Sequence, residues 1–449
     1  MALNYQQLAK KMVARAKKSG SSQAEVFIQV GREASCRVRD GEIESLVEAT
    51  SRGVGIRVIV DKRLGFAWSN DFTPSTIDAF VDRAILLARA SAPNPLNGFA
   101  ESKDLGMPTD VGSLCDPDIV NLAPDWKIKA ALEMEKVCRA YDPRIKTVDS
   151  IDASESVTEV YLASSAGMHG GYQTTSVSLY AAVVAAEGEQ LQTGYCYDAK
   201  RFLKELQSPE FVAREGARKA VRLLGAKKVK SQRVPVVFDP IMAAAFIRSV
   251  TGAMSGDAVF KKSSFLASKL GQPIASATVT IIDDGTLPKG LGTAPFDGEG
   301  IPTRKNSLVE NGVLQRFLYD SFTARKAKAR STGNASRSFK SMPSINVRNL
   351  YLEPGTKLAE DIVREIPNGF YVTAMLGQGA NIVTGQYSRG ANGVWIENGE
   401  LTHAVQEVTV AGSLTEMLHG IDAIGSDLHF HGSTGAPTIR FKELTISGE

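Results

Sequence analysis

Two hydrophobic patterns alternate along the first half of the chain. Apolar residues recur at helical spacing, as at Tyr5, Leu8, Met12 and Ala16, and elsewhere they alternate with polar residues at a period of two, which is typical of strands. Five prolines between residues 92 and 124 interrupt both patterns, so we expect a connecting segment there. The predicted helices cover residues 5–19, 73–88, 125–141 and 208–224, and the predicted strands cover 24–30, 34–38, 43–50, 54–60, 64–69, 147–164 and 172–198, the last with a turn at 187–188.

At the centre of the chain, a short apolar strand is followed by a helix with almost no polar face. Residues 234–238 form the strand, and Asp239-Pro240 supplies a capping carboxylate and a proline at the first helical position. The predicted helix covers residues 241–254, and Arg248 is its only charged residue. Because a helix that is apolar nearly all round belongs inside a protein, we predict a buried central helix.

The second half of the chain is predicted to consist mostly of strands. Asn311-Gly312 and Asn398-Gly399 each lie between short apolar runs, and Asn-Gly favours a two-residue hairpin because both residues tolerate positive φ. We therefore predict an α+β fold: an N-terminal α+β region with antiparallel strands, and a C-terminal, mostly β, barrel- or sandwich-like domain that contains the central helix. The predicted boundaries are 1–231, with 1–91 and 115–231 as candidate sub-units, and 232–449.

Composition and charge exclude several classes of protein. The 449 residues contain no apolar run near the ~20 residues that span a bilayer, and the N-terminus lacks the apolar segment of a signal peptide. The four cysteines form no close pair, so we expect reduced thiols in a cytoplasmic protein without a membrane partner. A net charge of +3 is nearly neutral for this length and does not argue for a nucleic-acid partner.

Four segments of the second half have the residues and the order of a known family. They are residues 256–265 (GDAVFKKSSF), 289–300 (KGLGTAPFDGEG), 324–326 with 331–335 (ARK, STGNA), and 377–379 through 387–390 with 395–399 (GQG, YSRG, WIENG). In these segments the chain resembles the TldD/PmbA family, on its PmbA (TldE) side, whose members are described as modulators of DNA gyrase. The resemblance covers essentially the whole chain and is weaker before about residue 230.

The resemblance has consequences for metal binding. In the TldD branch the central helix contains HExxxH, whose histidines bind zinc and whose glutamate acts as general base. The motif falls here on Ile247, Arg248 and Gly252, none of which ligates zinc. The third TldD ligand is a cysteine near the C-terminus, whereas the last cysteine here is Cys196. We therefore expect no metal and no catalytic residue in this chain, and we expect zinc in a TldD-type partner.

Three hypotheses about function remain open. The first is a non-catalytic subunit of a TldD-type zinc metallopeptidase, in which the chain shapes the channel for peptides as part of a heterodimer, or forms a homodimer without that partner. The second is a non-proteolytic regulatory protein that binds DNA gyrase. The third is a stand-alone peptidase with other metal ligands. We favour the first, because no nucleophile or acid–base arrangement has a recognisable local pattern in the sequence.

Several residues are candidates for the substrate channel. Arg248 stands where the TldD branch has its catalytic glutamate, and a lone arginine on an apolar helix reaches solvent, faces a cavity or pairs with a buried carboxylate. We expect pairing, with Asp257, Asp283, Asp284, Asp297 and Glu299 as the candidate partners. In the family, the region around residues 377–390 helps to form the wall of the active cavity. The resemblance thus makes Gln378, Tyr387, Ser388 and Arg389 further channel candidates, with a scaffold role as the alternative.

Two other features have open interpretations. Residues 324–340 contain six basic residues and no acid, which fits a nucleic-acid contact, a cationic pocket for a peptide carboxylate, or a solvated loop. The aromatic residues that would stack on single-stranded bases are few in this run. His429 and His431 lie on one face of a predicted strand, where two imidazoles could bind a metal, but we expect ordinary surface or hydrogen-bonded histidines.

Overall fold

One antiparallel sheet organises the first 200 residues. The computed structural model describes residues 3–377 and 379–449. The strands of this sheet are β1 (Gln23–Arg39), β2 (Glu42–Val60), β3 (Arg63–Ser69), β4 (Ile145–Ser164), β5 (His169–Glu187) and β6 (Gln190–Lys200). They lie in the order β3-β2-β1-β4-β5-β6 and form a half-barrel, which we call the N-terminal sheet. Strand β6 is therefore an edge strand.

Helices cover this sheet in two groups. They are α1 (Tyr5–Lys18), α2 (Pro74–Ala90), α3 (Pro117–Val120), α4 (Pro124–Tyr141) and α5 (Pro209–Arg222), with a 3₁₀ turn at Leu203–Glu205. α1 and α2 share one core with β1 and β2, whereas α4 and α5 share another with β4, β5 and β6. Gly194 of β6 allows α5 to approach closely, because a Cβ atom there would lie 2.2 Å from the Ala220 backbone nitrogen. The position of α5 along the outer edge of the sheet follows from this contact.

The predicted helices of the first half are all present, and the strands differ mainly in length. The segments predicted as 24–30 and 34–38 form the single 17-residue strand β1. Pairing continues without a break through the polar residues between them, because Gly31, Arg32 and Glu33 have partners on both β2 and β4. The hydrophobic pattern predicts burial on one face and therefore does not detect strand residues whose two faces are both partly solvated.

A closed barrel forms in the C-terminal part. The strands after residue 231 are β7 (Gln232–Phe238), β8 (Ile281–Asp284), β9 (Lys305–Glu310), β10 (Val313–Leu314), β11 (Ala335–Ser336), β12 (Ser344–Ile345), β13 (Leu350–Leu352), β14 (Asn368–Leu376), β15 (Ala380–Asn381), β16 (Gln386–Glu397), β17 (Glu400–Ser413), β18 (Ile421–Ile424), β19 (His429–His431), β20 (Thr434–Ala436) and β21 (Ile439–Ser447). The order β14-β7-β21-β17-β16 closes because β14 also pairs with β16. The predicted α+β fold with a C-terminal barrel is thus confirmed.

A second sheet lies beside the barrel, in the order β10-β9-β8-β13-β20-β19. Its edge strand β19 contains His429 and His431. The two predicted Asn-Gly hairpins are confirmed: β9 turns into β10 at Asn311-Gly312, and β16 turns into β17 at Asn398-Gly399, with positive φ at all four residues. The remaining helices are α6 (Pro240–Gly252), α7 (Gly256–Phe260), α8 (Ser321–Ala327), α9 (Ala359–Arg364) and α10 (Leu414–His419).

The central helix α6 packs into the barrel, as predicted. It begins at Asp239, whose side chain accepts a hydrogen bond from the Met242 backbone N–H at 2.8 Å. The ring of Phe246 makes edge-to-face contacts with Phe441 of β21 and Tyr387 of β16, at centroid distances of 5.3 and 5.8 Å. Within the described residues, no helix combines the length and the apolar character needed to cross a membrane.

A buried ionic cluster connects the N-terminal sheet to the C-terminal part. Arg57 of β2 donates to Glu25 of β1 at 2.7 Å and lies 3.3 Å from Glu299. Arg337 lies 2.6 Å from the same Glu25 carboxylate. All four side chains are at most 5% exposed. Such a cluster favours one arrangement of the two parts, because separating them would leave buried charges without partners.

Candidate functional site

A cleft of about 300 Å³ lies where the N-terminal sheet meets the barrel. We call it the edge cleft. It is formed by β6, α5, the start of α6, β14 and β19. Its lining residues are Thr193, Gly194, Tyr195, Cys196, Tyr197, Asp198, Gln207, Phe211, Glu215, Arg218, Lys219, Arg222, Leu223, Asp239, Pro240, Ile241, Tyr371, Thr373, Ala374, His429 and His431.

The edge of β6 faces this cleft. Six consecutive residues, 193–198, line it, although successive side chains of a strand point to opposite faces of the sheet. A continuous run of this kind means that the backbone edge itself borders the cavity. Among the described residues, β6 pairs only with β5, so its outer N–H and C=O groups have no partner strand. An unpaired strand edge is a template for an added strand.

Both Asp198 and Glu215 of the edge cleft are already engaged. Asp198 accepts a backbone hydrogen bond at 2.9 Å, and Glu215 pairs with Arg218 at 2.7 Å. Lys219 and Arg222 add positive charge along α5. Burial, and then the neighbouring Arg218, lower the pKa of Arg222. The α5 side of the cleft is therefore cationic.

Three further titratable groups of the cleft, Cys196, His429 and His431, are neutral at pH 7. Burial raises the pKa of the Cys196 thiol to about 11, which leaves it protonated and a poor nucleophile. Burial, together with His429, lowers the pKa of His431 to about 4, and burial also lowers the pKa of His429. The His431 ring lies against Tyr197, with centroids 3.6 Å apart. Neutral imidazoles and phenols of this kind bind by packing and hydrogen bonding.

Asp239 lies at the base of the cleft. Burial raises its pKa to about 6, although the hydrogen bond from Met242 opposes the shift. The nearby Tyr195 has its pKa raised by burial and then by the charge of Asp239, while Arg389 opposes this rise. Arg389 is not among the described lining residues of the cleft, so its role in a channel stays a prediction.

Arg248 is exposed, and the expected carboxylate partner is not found among the described residues. Its Nη1 lies 3.4 Å from Thr434 Oγ1 and its Nη2 lies 3.5 Å from Asn346 Oδ1, which are long contacts. The prediction of a buried ion pair is therefore wrong: the guanidinium reaches solvent beside the β19–β20 hairpin, where water screens its charge. Each candidate partner is engaged elsewhere: Asp257 with Lys261, Asp283 with Asn334, Asp284 with Thr286, Asp297 with the Glu299 and Ile301 amides, and Glu299 with Arg57.

The other channel candidates have different environments. Gln378 lies outside the described residues. Tyr387 is 2% exposed and packs on Phe246, so its ring belongs to the barrel core rather than to a channel wall. Ser388 is exposed, and Arg389 is partly buried. Of the segment 387–389, Ser388 and Arg389 thus remain available to a ligand.

The basic run does not form one surface. Arg325 donates to the carbonyl oxygens of Leu96 and Phe99, and Arg337 belongs to the buried ionic cluster. Lys328 and Arg330 are exposed. The even spacing of charge in the sequence does not distinguish these environments, because the run passes through a helix, a turn and the junction between the two parts of the chain.

The residues on which the resemblance places the TldD metal motif do not fit a zinc ion. Ile247 is fully buried in the core, Arg248 is a cation and Gly252 has no side chain, so none supplies an electron pair to a metal. Within the described residues, no group of three or more His, Cys, Asp and Glu side chains is placed to hold a metal ion. His429 and His431 line the edge cleft instead.

Sequence reasoning missed most of the cleft. Tyr195 and Tyr197 belong to a strand whose register, and whose place at the edge, are decided by pairing with β5. Arg218 and Arg222 lie on the polar face of a helix, which ordinarily faces solvent. Tyr195 and Tyr197 were the available signal in the sequence. They lie two positions apart, on one face of the strand, and a pair of aromatic side chains on one face needs a packing partner.

Comparisons with known proteins give matches along nearly the whole chain. Models of the PmbA/TldA metallopeptidase domain 1, central domain and C-terminal domain match residues 24–88, 117–224 and 231–448. The metalloprotease PmbA of Escherichia coli O157:H7 is 32% identical over 96% of this chain and 94% of its own length, and so is a PmbA homologue of Haemophilus influenzae.

Solved structures also match this chain along nearly its whole length. A Bacteroides thetaiotaomicron protein, described as a proposed modulator of DNA gyrase, superposes with a TM-score of 0.92 at 28% identity and full coverage of both chains. TldE from Thermococcus kodakarensis superposes with a TM-score of 0.89 at 25% identity, over 98% of this chain and 100% of that one. On the evidence of three successive domain models and of relatives matched end to end, this chain belongs to the PmbA/TldD metallopeptidase family.

Proposed function

We propose that this chain is the non-catalytic subunit of a TldD-type zinc metallopeptidase and that it holds an extended peptide in the edge cleft. The observation that best supports this proposal is the unpaired edge of β6, which borders the cleft over residues 193–198. A peptide that adds to such an edge is held by main-chain hydrogen bonds, so its sequence matters little and its extended conformation matters most.

The chemistry of the chain supports a binding role rather than a cutting role. Hydrolysis by a zinc peptidase needs a metal that polarises the carbonyl and activates water, and Ile247, Arg248 and Gly252 provide no ligands for it. In the edge cleft, Cys196 is protonated and the carboxylate of Asp198 is already hydrogen bonded. We propose that the zinc and the general base come from a TldD-type partner, and that this chain forms a homodimer when the partner is absent.

Peptide binding by the isolated chain tests the site. A fluorescent, unfolded decapeptide should bind, and the same peptide with N-methyl groups at alternate positions should bind at least about tenfold more weakly, because it loses main-chain donors. Amide hydrogen exchange should show protection of residues 190–200 in the presence of the unmodified peptide. Equal binding of both peptides, or no protection of β6, would exclude strand addition at this edge.

The second hypothesis, a non-proteolytic regulator of DNA gyrase, rests on the description of the Bacteroides thetaiotaomicron relative. Co-purification of this chain with gyrase subunits, in cells that lack a TldD-type protein, would support it. Co-purification with a TldD-type protein alone would support the peptidase subunit.

A further inference from the structure

A second cavity, of about 240 Å³, opens on the other side of the junction. One face of the N-terminal sheet forms its floor, with Gln29 on β1, Thr158 on β4 and Thr174 on β5. Segments 291–294 and 335–337, together with Gly298 and Arg348, cover that floor. We call it the arginine cavity.

Every charged side chain that lines the arginine cavity is an arginine. They are Arg201, Arg337 and Arg348, and no carboxylate is among the described lining residues. Arg201 is 2% exposed, and its guanidinium donates to the carbonyl oxygens of Gly290 at 2.7 Å and Leu291 at 2.8 Å. Burial lowers its pKa to about 10, which reflects the cost of a buried cation without a counterion.

The other two arginines have donors to spare. The Arg337 side chain is 1% exposed; one Nη is paired with Glu25 Oε1 at 2.6 Å, and its Nε has no acceptor among the described residues. Arg348 donates from one Nη to the Ala335 carbonyl at 2.9 Å, and its Nε lacks an acceptor among the same residues. Unsatisfied buried donors are costly, so an added acceptor would be favourable.

The carboxylates close to the cavity are already engaged. Glu25 pairs with Arg337 at 2.6 Å and with Arg57 at 2.7 Å. Asp283 accepts hydrogen bonds from Asn334 and from the Arg348 backbone N–H. Asp297 accepts from three backbone amides, those of Glu299, Ile301 and Ala335. Their oxygens are thus directed at the loops that build the cavity.

We propose that the arginine cavity binds the C-terminal residue of a peptide, with its carboxylate against the guanidinium groups of Arg337 and Arg348 and with the positive charge of Arg201 nearby. Guanidinium groups match the two oxygens of a carboxylate, and the hydroxyl groups of Thr158 and Thr174 supply further donors. Phe27 and Tyr172 give the same cavity an apolar side, which suits an amino-acid side chain and not a bare phosphate. The volume is below the about 300–1,000 Å³ of sites for drug-sized ligands, as expected for a single residue.

This inference rests on the proposed function, since it takes the ligand to be a peptide, and calorimetry on the full chain tests it. The probes are an acetylated tripeptide acid, its C-terminal amide and inorganic phosphate. The acid should bind at least about tenfold more tightly than the amide, and phosphate should not displace it. Equal binding of acid and amide, or displacement by equimolar phosphate, would overturn the proposal.

Two variants locate the binding. Arg348→Gln should weaken binding of the acid at least about tenfold and leave the amide unchanged, whereas Arg304→Gln, at an exposed arginine outside the cavity, should change neither. Thr158→Glu places a carboxylate inside the cavity, so it should abolish acid binding while the melting temperature stays equal or rises. Unchanged acid binding in both cavity variants would exclude this site.

The experiments can contradict the arginine-cavity proposal and the edge-cleft proposal independently of each other. Loss of the preference for the acid, with binding of unfolded peptides to β6 intact, would contradict only the arginine cavity. Absence of binding at β6, with the acid preference and its dependence on Arg348 intact, would contradict only the edge cleft.

Discussion

Arg248 shows how one residue is interpreted differently once its surroundings are known. On an apolar helix it looks like half of a buried ion pair, but its neighbours are Thr434 and Asn346, and its side chain is exposed. Exposed polar contacts of this length contribute little to stability. The residue is better understood as part of the surface beside the β19–β20 hairpin than as part of the core.

Replacing Arg248 by Met should therefore leave stability nearly unchanged. We expect the free energy of unfolding to change by less than about 0.5 kcal/mol, the usual range for surface substitutions. Arg57→Met provides the contrast, because it removes one partner of a buried cluster and should cost roughly 3–5 kcal/mol. Urea unfolding of both variants measures this, and a loss above about 2 kcal/mol for Arg248→Met would restore the buried-pair interpretation.

The carboxyl group of Asp239 should make stability depend on pH. Its pKa is raised from 3.8 to about 6 in the folded chain, so the folded state favours the protonated form. The associated stability is complete below about pH 4 and is lost as the pH rises through about 6. Asp239→Asn stays neutral and can still cap α6, so the variant should be more stable than the parent above pH 6, by up to about 3 kcal/mol.

Unfolding curves at pH 4, 6 and 8 measure this difference. Comparing the variant with the parent isolates Asp239, because Asp283 and Asp297, whose pKa values burial also raises, remain in both proteins. A variant that is less stable than the parent at pH 8 would mean that the ionised carboxylate is favoured in the fold.

At the scale of elements, the contact between β6 and α5 shapes the edge cleft. Gly194→Ala would bring a Cβ atom to 2.2 Å from Ala220 N and 2.4 Å from the Gly216 carbonyl, so the helix must move. We expect a loss of about 1–3 kcal/mol and weaker peptide binding, because overpacking shifts the wall of the cleft.

Gly31→Ala on the same sheet is the matched control. Its added Cβ would approach the Ser51 hydroxyl at 3.2 Å, and a small rotation of that side chain would relieve the contact. Thermal unfolding of both variants compares the two. If Gly194→Ala melts no lower than Gly31→Ala, α5 is free to move and does not set the shape of the cleft.

The elements that the sequence predicts well are those with a strong local pattern. The apolar helix α6, the capped helix α5 and the two Asn-Gly hairpins all follow from neighbouring residues. The length of β1 does not, because its middle is partly solvated and is specified by partners more than 100 positions away on β4. Strand pairing is a long-range property, and a single sequence records it only indirectly.

At the scale of the whole molecule, the candidate site depends on tertiary contacts. The edge cleft combines β6 and α5 with β14 and β19, which come from both parts of the chain. The sequence indicated the central helix, whose first residues line the cleft, but not Tyr195 or Arg218, because nothing local places a strand edge opposite the barrel. Sequence and resemblance therefore predicted the fold, whereas the cleft itself required the structure.

The central claim is that this chain holds peptides for a zinc peptidase and does not cut them itself. The most direct measurement is hydrolysis of an unfolded peptide by this chain alone, by a TldD-type protein alone, and by the mixture, with and without a zinc chelator. The account predicts no cleavage by this chain, zinc-dependent cleavage by the mixture, and none when the histidines of the partner's HExxxH motif are replaced. Continued cleavage by the mixture after that replacement would assign the activity to this chain and contradict the account.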